Sequence, residues 1–144
     1  MDLLLICRDA LENSIITNLL TAAEAKRAGL DVGVLFTEEA LAALAGESCD
    51  WSPLLRNRNT RVTIASNAQK LGMPIYEAPT RSVPAVASRE LMRLSKEAGV
   101  RLFACATWIK LLGLAEDKLA GFEPLEPEAK LKILRETKTV IGSL

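Results

Sequence analysis

A chain of 144 residues with 49% hydrophobic and 25% charged side chains has apolar surface enough for one ordinary domain, and needs neither disulfides nor metals to fold. Eighteen basic residues balance eighteen acidic ones, which excludes a global field drawing the protein to nucleic acid or an anionic membrane; aromatics at 4% leave little for stacking on single-stranded bases. Histidine is absent, so imidazole metal sites and every Ser-His or Cys-His nucleophile pair are excluded, and chemistry falls to Cys, carboxylates, Lys, Arg, Tyr or the backbone.

The first apolar run, residues 3 to 7, reads as a strand covered on both faces. It is too short for an export segment and is preceded by Asp2 where a leader wants bases. No stretch approaches the roughly 18 apolar residues of a membrane span. Asp9 with Glu12 three residues on has the form of a capping box, and Leu11, Ile15, Ile16, Leu19, Leu20 and Ala23 fall on one helical face that Gly29 stops. Residues 31 to 36 predict a second buried strand. Thr37, Glu38 and Glu39 open a helix carrying Leu41 and Leu44. Strand, helix, strand, helix is a βαβ unit, which predicts a mostly parallel sheet.

From Gly46 to Asn59 the periodicity weakens and a long surface connection is expected, with Cys49 exposed in it. Thr60 is placed to cap a helix with Val62, Ala65, Ala68 and Leu71 inward, stopped at Gly72. Met73 to Tyr76 reads as a short strand confined by Pro74 to an edge or a strand start. Glu77 to Val83 reads as a flexible connection, in which Arg81, with Tyr76 at its start, is a surface or pocket-shaping residue. A helix with Leu91, Leu94 and Ala98 on one face is predicted from about Pro84 to Ala98, ended by Gly99.

Residues 100 to 105 predict a buried strand that ends in Cys105 and turns at once into a helix whose face is Trp108, Leu111 and Leu112. One or two turns at 115 to 120, a helix opened by Glu126-Pro127-Glu128, and a last strand over 138 to 141 complete the chain. The expected architecture is one domain over 1–144, a three-layer α/β sandwich with a mostly parallel sheet of four or five strands in flavodoxin/Rossmann-like order.

Cys105 is the residue these elements point to. A thiol at a strand's carboxyl end and a helix N-terminus meets unpaired amides and the positive end of the helix dipole, and both favour thiolate. Ligands in open α/β sheets bind along that edge. Thr107, as helix cap, and Lys110, one turn in, are candidates to stabilise the anionic sulfur. Cys7 ends the first strand as Cys105 ends the later one. Were the strand order 2-1-3, the two strands would be neighbours about 4.8 Å apart and the sulfurs could meet. Arg8 and Asp9 lie at the same crevice, Asp9 chiefly as a cap. No Gly-rich turn follows the first strand, so no nucleotide or flavin cofactor is expected; the Cys-x-x-Cys of thioredoxins is absent, and without histidine no metal is expected either.

Leu3 to Cys7, Val32 to Phe36, Ala98-Gly99-Val100 to Cys105 and Leu112-Gly113-Leu114 together resemble the DsrE/DsrF-like sulfur-relay family. The resemblance spans nearly the whole chain. It implies a small α/β protein that assembles into homo-oligomers and carries persulfide sulfur between donor and acceptor proteins, with Cys105 as the carrier; the surrounding Cys-Ala-Thr-Trp departs from the family's more usual residues. Three cysteines without close spacing read as reduced thiols, so a cytoplasmic protein is expected. Two other functions fit the same residues: a non-catalytic oligomeric module binding a small ligand or protein, with Cys105 as packing, or a thiol redox sensor using Cys7 and Cys105.

Overall fold

A computed structural model describes residues 1–46, 49–76 and 85–142. Its centre is a five-stranded sheet in which every neighbouring pair is parallel, covered by helices on both faces, so the molecule is the three-layer α/β sandwich expected. The strands are β1 (Leu3–Cys7), β2 (Val32–Phe36), β5 (Arg101–Cys105), β6 (Glu123–Leu125) and β7 (Thr139–Gly142), in the spatial order β6-β5-β2-β1-β7. A separate antiparallel pair joins β3 (Ile75–Tyr76) to β4 (Ala85–Val86). The helices are α1 (Glu12–Arg27), α2 (Glu38–Gly46), α3 (Arg58–Lys70), α4 (Ser88–Glu97), α5 (Ala106–Leu112) and α6 (Pro127–Glu136), with a 3-10 turn at Glu116–Leu119. No helix among the described residues is long and apolar enough to cross a membrane.

β1 and β2 are continuous apolar runs because they occupy the middle of the sheet and are buried on both faces. One face carries Leu3, Leu5, Cys7, Val32, Val34, Phe36, Leu102 and Ala104, packed under α1, α2 and α4 through Ile15, Leu19, Leu41, Leu44 and Leu91. The other carries Leu4, Leu35, Phe103, Cys105 and Leu125, and the helix that covers it is α6, through Ile133 and Leu134. Arg101 closes the lower end of that face, its guanidinium 4.7 Å above the Phe103 ring and bonded to Glu123.

Several local expectations differ from the structure. Asp9 and Glu12 make no capping box: the Asp9 carboxylate accepts from the Leu11 amide, while Glu12 turns inward beside Trp51 and Arg61. The long connection is not wholly on the surface, since Trp51 is buried in the core and Asp50 bridges to Leu11. Asn57, not Thr60, caps α3, accepting from the Thr60 amide. The face of α3 is rotated so that Ala65 and Ala68 are buried while Val62 and Leu71 are exposed. In α5 the inward residues are Ala106, Trp108 and Ile109, and Leu111 is 69% exposed. β6 is a strand the periodicity does not announce, because Pro124 interrupts it; as an edge strand it tolerates a missing donor. The connection expected over 77–83, including Arg81, lies outside the described residues.

Candidate functional site around Cys105

β5 delivers Cys105 to the carboxyl edge of the sheet, and α5 begins at the next residue. Cys105 is itself the N-cap, with extended backbone, so the cap expected of Thr107 falls two residues earlier. This places the amides of Thr107 and Trp108 over the sulfur, where both favour the charged form.

Two further groups come from distant parts of the chain. Phe36 pairs with Ala104, so Thr37 and Cys105 are the next residues on neighbouring strands, and the Thr37 hydroxyl donates to the sulfur. From α6, Lys130 Nζ donates to Cys105 Sγ at 3.6 Å. Burial pushes the Cys105 thiol up, but the Trp108 amide, the Thr37 hydroxyl, the Lys130 charge and the Thr107 amide together outweigh it, and the net shift is downward. Lys130 makes no ion pair with a carboxylate among the described residues, and is the charged group that acts on the sulfur.

The sulfur is closed off: Cys105 is 2% exposed, beneath Trp108 and α6.

The other expected residues divide. Lys110 does not reach the sulfur; its ammonium holds the Glu126 carboxylate at 2.9 Å, tying α5 to the start of α6. Asp9 serves the entry to α1. Arg8 forms a bidentate pair with Glu38 at 3.1 Å on the edge beside Thr37. Glu38, at φ 54, is the sole described non-glycine residue with positive φ. Cys7 is not a partner of Cys105: β2 lies between their strands, and the two side chains belong to clusters on opposite faces of the sheet. Burial, with contributions from Asp9 and Cys49, pushes the Cys7 thiol up to about 12, so it stays neutral. Cys49 is half-buried against that core rather than exposed, and burial raises it too.

Thr37 and Lys130 are the two groups around the Cys105 sulfur that the sequence reading does not single out. The alignment of parallel strand ends signals the first, because Thr37 follows β2 as Ala106 follows β5. The second is signalled by the inward stripe Lys130, Ile133, Leu134, Thr137, at spacing i, i+3, i+4, i+7, which puts a lysine where an apolar residue is the rule. No cluster of His, Cys, Asp and Glu able to hold a metal occurs among the described residues. The arrangement provides one sulfur beside a cation, in surroundings that favour its thiolate form.

No protein-family model matches the chain, and no curated protein shows significant similarity to it.

Proposed function

We propose that the protein is a sulfur carrier in which Cys105 holds sulfur as a persulfide. The observation that supports this most is the thiolate-favouring surround of Cys105: two helix amides, the Thr37 hydroxyl and Lys130 against the cost of burial. The chain's resemblance to DsrE/DsrF-like proteins points the same way. In the transfer, the Cys105 thiolate attacks the outer sulfur of a donor persulfide R–S–SH. A new S–S bond forms, the donor's S–S bond breaks, and R–S⁻ leaves with the electron pair, giving Cys105–S–SH. An acceptor thiolate then takes the outer sulfur and Cys105 leaves as thiolate; no oxidant is consumed. Lys130 stabilises the anion before the first step and after the second.

The carrier is proposed to work in the cytoplasm as a homo-oligomer, exchanging sulfur with donor and acceptor proteins. Leu111 and Leu131, 69% and 60% exposed on the two helices flanking Cys105, are apolar surface that a neighbouring protein would cover.

The test is mass spectrometry after incubation with a low-molecular-weight persulfide. One added sulfur on Cys105, removed by a thiol acceptor, is the expected result; an unmodified Cys105 beside a modified Cys49 overturns the assignment. The near-complete burial of Cys105 favours a second reading, a ligand- or protein-binding module in which the thiol is packing. In that case native Cys105 resists alkylation at every pH and Cys105→Ser leaves partner binding intact.

A further inference from the structure

The connection from β6 to β7 has an unusual path. β6 and β7 are the two edges of the sheet, so the chain must pass over β5, β2 and β1 to get from one to the other, and α6 lies on that crossing. Four strand intervals span about 19 Å, and a ten-residue helix is about 15 Å long. The helix is shorter than that span, so α6 and the residues flanking it together make the crossing over the face on which Cys105 lies.

The hold of α6 on that face is slight. None of its residues is buried, whereas α1 on the opposite face buries six. What it sets against the sheet is Lys130, Ile133 and Leu134, each half-buried. Its start follows Leu125, which is buried and pairs with Cys105 in the β5–β6 ladder; the further tie to α5 through Lys110 and Glu126, both mostly exposed, adds little. Its far end is fixed as well. Thr137 is buried, the Lys138 and Thr139 amides bond to the Met1 and Asp2 carbonyls, and Lys138 pairs with Asp2 at 2.7 Å. The helix is thus anchored by a strand at each end, and between those ends half-buried side chains hold it to the sheet.

We propose that α6 is a strap that lifts between its two anchored ends to admit a reactant to Cys105, with Lys110 and Glu126 as the clasp. This rests on Cys105 being the working group, but the movement is testable without any sulfur chemistry. A consequence is that access and activation oppose each other. The motion that uncovers the sulfur also withdraws Lys130 from it, so the thiolate is stabilised when shielded and exposed when less stabilised. A sulfur loaded on Cys105 is accordingly kept from stray thiols until α6 lifts.

The experiment compares two protections in the intact protein: that of the α6 amides in hydrogen exchange, and that of Cys105 against iodoacetamide relative to an unhindered thiol of the same ionisation. If α6 is the gate, both report one local opening, well below the protection of the β2 and β5 amides. Lys110→Met and Glu126→Gln, which leave the sulfur's own partners in place, then raise both rates together by about twofold. Ile133→Ala raises them by about tenfold. Either of two results overturns the strap: Cys105 reacting as an unhindered thiol while α6 stays protected, or Cys105 reacting only as fast as β2 exchanges. Protection of Cys105 that rises with protein concentration also overturns it, since a second copy would then be the cover. Coupled opening in a protein that never loads sulfur keeps the strap and removes the carrier function; loading of sulfur with uncoupled protections does the reverse.

Discussion

Cys7 and Cys105 occupy equivalent places in the sequence, each the last residue of an apolar strand, and the fold treats them oppositely. Cys7 is 1% exposed, faces α1 and α2, and is held neutral by burial; Cys105 meets helix amides, a hydroxyl and an ammonium that outweigh its burial. What separates them is the next residue. Ala106 starts a helix at once, whereas Arg8 and Asp9 delay α1 to Glu12 and leave no amides over the Cys7 sulfur. The strand-to-helix junction at Cys105 was legible from the sequence; the lysine 25 residues further on was not, because no local pattern says which strand an inward-facing lysine will land on. Lys130→Met tests its weight. Removing the positive charge disfavours the thiolate, so the midpoint of alkylation rate against pH moves up, while Lys130→Arg stays near the parent. Because a looser α6 would raise the plateau of that curve and leave its midpoint alone, the midpoint isolates the electrostatic role. An unmoved midpoint would remove Lys130 from the site.

At the level of elements, the reading from periodicity held where a strand or helix is buried symmetrically and failed where a neighbour decides. β1, β2 and β5 were plain as apolar runs, and α1 as a striped helix. β6, three residues with a proline, and the rotated face of α3 depend on what packs beside them. Gly33 is a case in point, since inside a strand glycine is a poor choice on propensity alone. A Cβ built there would lie 2.7 Å from the edge of the Phe103 ring and 3.1 Å from the Met1 side chain. Met1 can swing away, but Phe103 is fully buried and its ring is held by Arg101, so the ring or the strand must move. Gly33→Ala is expected to cost about 1–2 kcal/mol net: overpacking outweighs the gain from restricting the unfolded chain. A lower urea midpoint with unchanged slope is the sign of it, and Phe103→Leu added to the same chain should recover part of the loss. A neutral or stabilising Gly33→Ala would mean that this face is looser than its burial indicates.

For the whole molecule, the strand order carries the largest consequence. With β2 between β1 and β5, Cys7 and Cys105 lie on opposite faces, and a disulfide between them would require the sheet to come apart, so the sensor built on that pair loses its geometry. The two thiols instead act on stability in opposite directions as pH rises. Cys105 ionises more readily in the folded protein than in the unfolded chain; it adds stability at alkaline pH and loses it as pH falls through its folded value. Cys7 has its folded pKa pushed up to about 12. Between the ordinary thiol range and that value the unfolded chain has released the proton while the folded protein still holds it, so ν_U is below ν_N and stability falls with pH. Three units at about 1.4 kcal/mol each give an upper scale of about 4 kcal/mol for the Cys7 loss. Cys49, also raised, adds to that loss and Cys105 subtracts from it. Urea unfolding from pH 8 to 11 should therefore show a decline in the parent protein that is markedly shallower in Cys7→Ala and steeper in Cys105→Ala, all other titrating groups being common to the three. Parallel curves would mean that neither thiol differs in ionisation between folded and unfolded chains, and with that the electrostatic case for Cys105 as a working thiolate would go.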